Sequence, residues 1–481
     1  MSKVNIVIIG LGYHAKRIYL DFYKRNNGTN LVGVVDLASQ ESAIKAYLQE
    51  KEIDVKTLFL KDGPTSDSLD RESRARLDAF YKECACDAVI ISTEPLSHYK
   101  YVTWALKRGL HILLDKPITT EVNVSTDIWK ARKLYSDYLK IEKLYRETLA
   151  KKNTVFILQA QRRFHNGFLL AKEKIREMLK RTNCQVTSIQ SFHSDGQWRL
   201  PDEIVDIDYH SYNQNYGKMS HSGYHSLDIS LWLCADNGSH AKKHHSFEVY
   251  SKFNRPFDFL HQILPDDYAK VFGNFKIRSN ADSLRNELKI EGEIDSFNSI
   301  SLLNKGGALI THLTCNAVHN GFSQRGSFEP NLKNLYKGNG RVRQESYIVE
   351  QGPFQCIIIN SFQSSEILKG SGDLTLVGGE HHFDVHVFRN SSLFKQDKSY
   401  ELFQLKDSIS GVKDQYSRGH NEDARRSCIT EFIESIKENR APNEQKSNFF
   451  EHKLSTRILS SVYESGVKDL NRKNNVIRSN L

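Results

Sequence analysis

Val4 to Ile9 reads Val-Asn-Ile-Val-Ile-Ile, a β-branched run with one polar interruption, and it stops at Gly10-Leu11-Gly12. Such a run suits a strand buried on both faces of a parallel sheet. Helical spacing follows through Ile18, Phe22 and Tyr23, and a second apolar stretch, Leu31 to Val35, ends at Asp36. Strand, glycine turn, helix and strand make one right-handed βαβ unit. Within it, Gly10-Leu-Gly12-Tyr13-His14-Ala15 is a GxGxxA form of the dinucleotide fingerprint. The first glycine permits the tight turn, the second lets the backbone approach a pyrophosphate, and the alanine lets the helix pack closely on the strand. The helix N-terminus offers unpaired N–H groups and the positive end of its dipole to the phosphates. Asp36, at the end of the next strand, is placed to accept from the adenosine ribose hydroxyls. A 2′-phosphate there would meet a carboxylate, and Leu37-Ala38-Ser39 supplies no arginine, so NAD is favoured over NADP.

The pattern continues as an α/β domain. Thr57 to Leu60 and Asp87 to Ile91 read as strands, the first set in a polar excursion over 52–76. A helix is expected from about Ser97 to Arg108, stopped by Gly109 as a C′ glycine, and Leu110 to Leu114 reads as a strand leading into Asp115-Lys116-Pro117. The segment 126–152 is charged, lacks glycine and proline, and predicts a helical insertion. From Thr154 onward, Val186 to Phe192, Ser299 to Leu303, Ala308 to Cys315 and Cys356 to Asn360 read as strands of an antiparallel sheet. Residues 320–341 read as a loop or insertion, and two helices within 423–468 close the chain. The expected division is 1–120 for the nucleotide-binding domain and 121–481 for a second α/β domain.

Composition narrows the function classes. A length of 481 residues exceeds one simple core, and 39% hydrophobic residues suffice to bury two. The net charge of +9, from 67 basic and 58 acidic residues, is spread along the chain rather than gathered into a stripe, so no nucleic-acid partner is expected. No apolar run reaches a membrane-spanning length, and Met1-Ser2-Lys3 runs straight into a strand, so a cytoplasmic protein without membrane contact is expected. Seven cysteines without CxxC spacing predict reduced, buried thiols.

Beyond the fingerprint, the chain resembles the Gfo/Idh/MocA oxidoreductases, the glucose–fructose oxidoreductase and inositol dehydrogenase family. Thr93-Glu-Pro-Leu-Ser-His98 is similar to the family's T-x-P-x-x-H segment, and Ala105 to Pro117 to its A-L-x-x-G-x-H-x-x-x-E-K-P stretch. Gln161-Arg-Arg163-Phe164 matches its R-F element, and Gly217 to Asp228 its G-x-x-x-D-x-G-x-H-x-x-D pattern. The resemblance implies an N-terminal Rossmann domain with a doubly wound parallel sheet, followed by an α/β domain with a large, mostly antiparallel sheet. It implies a substrate lying over the nicotinamide between them, and a homo-oligomer, dimer or tetramer, formed through the open sheet face. It also implies hydride transfer between NAD(P) and a secondary alcohol or ketone of a sugar, polyol or sugar derivative.

Such chemistry needs a group to handle the hydroxyl proton and a donor to stabilise the developing alkoxide. The resemblance puts Lys116 at the family's catalytic lysine and His225 at its histidine, with Thr93, His98, Asp115 and Lys116 at the cofactor. A lysine before a proline is ordinarily a surface residue, and His225 has helical apolar spacing around it that also suits a core histidine. Two departures stand out: Asp115 replaces the family's glutamate, and His221 stands where the family has aspartate, four residues before His225. Either His221 joins a proton relay, or the substrate differs from that of the polyol dehydrogenases. Asp228 is a candidate partner of His225. Arg163 and Trp198 are candidates for the substrate cleft, as an anion binder and a sugar platform, with structural packing as the alternative for each. His221 and His225 have a zinc-like i,i+4 spacing, but Gly223 interrupts the turn and no metal is expected. A glycosidase that works through transient oxidation and a non-catalytic dinucleotide sensor remain the alternatives.

Overall fold

The computed structural model describes residues 3–25, 28–63, 66–206, 212–273, 292–326, 340–364, 367, 373–404 and 420–481. Two compact units account for them: residues 1–120, 134–164 and 421–456 form the first, and 121–133, 165–420 and 457–481 the second. The chain therefore crosses between units several times, where the sequence suggests a single boundary after 120.

The first unit is built on six parallel strands: β1 Val4–Ile9, β2 Thr29–Leu37, β3 Lys56–Leu60, β4 Ala88–Ile91, β5 His111–Leu114 and β6 Phe156–Leu158. Their spatial order is β3-β2-β1-β4-β5-β6, a doubly wound sheet whose direction of winding reverses between β1 and β4. In such sheets the ligand crevice opens at the C-terminal ends of the two strands flanking the reversal. Strands β1, β4, β5 and β6 are almost wholly buried, which is why they read as continuous apolar runs. Strand β6 belongs to this sheet, not to the second domain where its position in the sequence suggested. The helix His420–Lys437 also returns here: Ala424, Cys428, Ile429, Phe432 and Ile433 join the core formed by Ile6, Ile8, Ile18 and Ile90.

The end of the polar excursion over 52–76 opens a helix, Arg71–Glu83, that the sequence does not announce. Asp70 caps it, its side chain accepting from the Ser73 N–H at 2.9 Å. Its buried face is only Ser73, Leu77 and Phe80, so the apolar signal is thin against seven charged side chains in thirteen positions.

The second unit carries nine strands: β7 Ser188–Ser194, β8 Ser246–Asn254, β9 Asp295–Leu303, β10 Leu309–Val318, β11 Val342–Gln351, β12 Gln355–Ser364, β13 Asp384–Arg389, β14 Tyr400–Gln404 and β15 Ile477–Asn480. The order is β14-β13-β12-β11-β7-β10-β9-β8-β15, antiparallel throughout except for β7 against β10. Alternation decides its faces. Ile189, Ser191, Leu313, Cys315, Tyr347, Val349, Ile357 and Ile359 are buried, and the helix Gly223–Leu233 packs on β7 and β10. The intervening residues face the other way, among them Tyr250, Phe297, Phe388, Tyr400 and Leu402, each at least 40% exposed. Of the segment 320–341, residues 327–339 lie outside the described residues; Ser323 bridges Arg341 across its base. Among the described residues, no helix is long and apolar enough to cross a membrane, and all seven cysteines are free thiols.

Candidate functional site

The glycine turn sits at the winding reversal. Gly10 has φ +89°, and a Cβ there would lie 2.8 Å from both the Ser92 carbonyl oxygen and the Thr93 nitrogen. The fold itself demands this glycine. Gly12 is different. Its φ is −71°, open to any residue, and a Cβ would meet nothing within 4 Å. Among the described residues, nothing requires glycine at position 12. Gly12 is the N-cap of the turn Tyr13–Ala15, with no side-chain cap, so the first N–H groups are not taken up by a capping side chain. The helix continues as a π-helical stretch, Lys16–Leu20, then Asp21–Arg25. Ala15 is fully buried, as its packing role requires, whereas Tyr13 is 64% exposed. An uncapped helix start, a glycine without internal cause and an acid on β2 together fit a dinucleotide.

Asp36 has a second duty that the sequence did not disclose. Its Oδ2 accepts from the Leu11 N–H at 2.7 Å and its Oδ1 from the Leu37 N–H at 2.8 Å. The carboxylate thus braces the glycine turn while keeping a lone pair on each oxygen for a ribose hydroxyl.

Lys116 follows β5 and is half-buried. Its neighbour Asp115 is held from three sides. Tyr19 donates to Oδ1, Ser92 donates to Oδ2 at 2.5 Å, and the His14 ring lies 3.7 Å from Oδ1. Loss of hydration pulls the His14 pKa down, against the opposing pull of Asp115, with Arg425, Lys116 and Arg17 adding positive charge nearby. Tyr19 and Ser92 carry no motif that would have marked them; they reach Asp115 only through the fold. His98 is fully buried, with Nδ1 2.8 Å from the Pro117 carbonyl and Nε2 3.1 Å from that of Thr93. Burial lowers its pKa, against the raising effect of the Pro117 and Thr93 carbonyls and of Asp115. With both ring nitrogens on the backbone, His98 braces the Thr93 and Pro117 segments; of the two roles open to it in the sequence, the structure shows the packing one.

Arg163 is likewise a packing residue. It is 1% exposed, its guanidinium reaching the carbonyls of Lys446 and Glu451 and the Nδ1 of His452. These contacts engage both terminal nitrogens of the guanidinium within the fold. Arg163→Ala is expected to cost about 3 kcal/mol of stability, since it strands those buried acceptors. Denaturant titration checks this; a variant with unchanged stability would return Arg163 to the substrate candidates.

The second unit presents the histidine segment. Residues Lys218–Ser220 form a 3-10 turn ending at His221, whose ring lies 5.3 Å from that of Tyr216, and the helix Gly223–Leu233 begins two residues on. His221 is outside the helix, so it and His225 do not share a helical face, and the zinc-like spacing loses its geometry. His225 and Asp228 are 8% and 2% exposed. Gly223 is a packing glycine: a Cβ would lie 2.9 Å from the Lys218 carbonyl and the Met219 sulfur. Trp198 stacks on Tyr268 and Phe272, at interplanar angles of 17° and 27°.

Sequence reading missed the buried charges behind this segment. Lys218 donates to Asp195 Oδ2 at 2.6 Å, and Arg341 donates to Oδ1 at 2.8 Å. Burial alone would raise the Asp195 pKa, but Lys218, His193 and Arg341 hold it well below the usual carboxylate range. The signal available was Lys218 itself, a charged residue inside the glycine-histidine motif.

Residues 4–142 match the model of the oxidoreductase family with the NAD-binding Rossmann fold, GFO_IDH_MocA. An uncharacterized oxidoreductase of Schizosaccharomyces pombe is 29% identical over 100 residues, 21% of this chain and 22% of that protein, so the match spans about a fifth of the relative. Two solved structures share the fold over nearly their whole length. One is an oxidoreductase from Agrobacterium radiobacter in complex with NAD+, L-tartaric acid and magnesium, 11% identical with a TM-score of 0.56, covering 100% of this chain and 98% of that one. The other is the aldose-aldose oxidoreductase from Caulobacter crescentus complexed with glycerol, 13% identical with a TM-score of 0.56, each chain covered 100%. Over residues 4–142 the chain is therefore similar to the NAD-binding Rossmann domain of the Gfo/Idh/MocA oxidoreductases.

Proposed function

We propose that this chain is an NAD-dependent oxidoreductase acting on a secondary alcohol or ketone of a sugar, polyol or sugar derivative. The observation that carries the cofactor is Gly12, a glycine the fold does not need, at an uncapped helix start on the reversal of a doubly wound sheet. When bound, NAD supplies the hydride acceptor or donor. The uncapped N–H groups bind the pyrophosphate, Asp36 orients the adenosine ribose, and Asp115, pinned by Tyr19 and Ser92, fixes the chain at Lys116. The Lys116 ammonium stabilises the developing alkoxide, and His225 takes the hydroxyl proton on oxidation and returns it on reduction. The sugar-like substrate rests on the motif resemblance around Lys116 and His225.

The test is a panel of polyols and free sugars, myo-inositol and D-glucose included, with NAD and the whole chain. NADH formation supports the reading. Sugar release from aryl glycosides without net NADH would mark a glycosidase, and NAD binding with no turnover across both panels a sensor.

Asp36→Ala is expected to weaken NADH binding about tenfold, or roughly 1.4 kcal/mol, and to narrow the gap to NADPH. It should also lower stability by about 1–3 kcal/mol, because the Leu11 and Leu37 N–H groups lose their acceptor. Fluorescence titration with both cofactors checks the first, and unchanged discrimination would remove Asp36 from the ribose.

We further propose a second copy of the chain as the partner covering the open sheet face. The register places Phe297 beside Asn316 and, at the far end, Phe388 beside Tyr400 on one side of the sheet. Light scattering expects a dimer or tetramer; a monomer at all concentrations contradicts this.

A further inference from the structure

We propose that Lys218 and Asp195 are positioning residues: their buried ion pair fixes the Gly217–Ser222 segment and with it His221 and the helix start that carries His225. The inference rests on the reading that His225 handles the substrate proton.

Asp195 lies just past the end of β7 and touches the segment at two points. Its Oδ2 accepts from Lys218 Nζ at 2.6 Å and from Ser222 Oγ at 2.5 Å. The two donors bracket His221 in sequence, so one carboxylate oxygen closes the turn around it. Arg341, on the far side, holds the same carboxylate through Oδ1 and donates from Nε to the Asp195 carbonyl, each at 2.8 Å. Lys218 is completed by His193, whose Nδ1 accepts at 3.0 Å while its Nε2 faces Glu345 at 3.7 Å. The rest of the segment is fixed by shape. A Cβ on Gly217 would lie 2.1 Å from the Glu293 carbonyl, and the Met219 N–H donates to Glu293 Oε1 at 2.9 Å.

Mere stability does not explain an ion pair here. Removing two charges from water is expensive, and a packed apolar pair of similar volume is often as stable. What charge and hydrogen-bond direction add is a single geometry. The same contacts set one cation and one anion at the turn that carries His221. The groups facing the ion pair are Arg341 just before β11, Glu345 on β11, His193 from β7, Asp295 from β9 and His319 after β10.

The test uses the full chain with labelled histidine, following the imidazole resonances of His221 and His225 through a pH titration. His221→Gln and His225→Gln supply the assignments, and a cooperative thermal melt certifies that each variant is folded. Lys218→Met removes a cation and is expected to raise the pKa of His221 by about 0.5 unit or more; Asp195→Asn removes an anion and is expected to lower it. A purely structural role would not give opposite signs. Ser222→Ala leaves the pair intact and is expected to move the His221 resonance without unfolding, which keeps the test available if a buried variant fails to fold. Shifts of one sign, or no shift in any variant, would overturn the proposal. Wild-type turnover in His225→Gln would instead overturn the functional reading while leaving the titration result standing.

Discussion

Gly12→Val is expected to leave the stability of the chain within about 1 kcal/mol of wild type and to weaken NADH binding about 100-fold or more, roughly 2.7 kcal/mol. The reasoning is local. A residue at φ −71° with nothing within 4 Å of its Cβ accepts a side chain without strain. The same side chain occupies the space through which a pyrophosphate approaches the first N–H groups of the helix. Gly10→Val is expected to behave in the opposite way. At φ +89°, with the Ser92 and Thr93 backbone 2.8 Å from the new Cβ, neither conformation nor packing can absorb it. A loss of about 3 kcal/mol or more follows, as β1 and β4 are forced apart. Thermal melts and NADH titrations on the two variants separate a glycine kept for the fold from one kept for a ligand. Equal destabilisation by both would remove the argument for a cofactor at Gly12.

The second large effect is at Lys116. Lys116→Ala is expected to reduce turnover by about 10²–10⁴-fold with NADH affinity within about threefold of wild type. The affinity should hold because the helix start, Asp36 and the Asp115 anchors are untouched. Lys116→Arg keeps the charge but not the compact, movable donor, and is expected to recover only part of the rate. Measuring kcat and KM for the best panel substrate decides the matter. An alanine variant with wild-type kcat would place Lys116 outside the chemistry.

Most of the first unit was legible in the sequence because its signals are local. A buried parallel strand is a continuous apolar run, and a glycine turn between strand and helix has few alternatives. What failed was local signal outweighed by context. The helix Arg71–Glu83 shows three buried residues among many charges. Strand β6, three residues long, joins a sheet whose other members end over forty positions earlier. In the second unit, β8, β11 and β13 alternate polar with apolar residues, and their half-exposed face weakened the pattern.

The site divides along the same line. Residues in a spaced motif, such as Gly10, Gly12, Asp36 and Lys116, could be named in advance. Residues reaching a site through tertiary packing could not, as with Tyr19 and Ser92 on Asp115 or Asp195 on Lys218. The same blindness works in reverse. Arg163, Trp198 and His98 have side chains suited to ligands, and each also makes contacts within the fold that no motif announced. Residue type alone does not say whether a donor faces a substrate or a carbonyl.

The central claim is hydride exchange between a carbon-bound hydroxyl and nicotinamide, and isotope transfer tests it most directly. The full chain is incubated with NAD and the polyol and sugar panel deuterated at its carbinol carbons, and the nicotinamide is then analysed by mass spectrometry. Deuterium is expected at C4 of the nicotinamide with at least one panel member, and labelling about 10²-fold or more slower with Lys116→Ala. Tight NAD binding with no deuterium transferred by the wild-type chain from any member would contradict it.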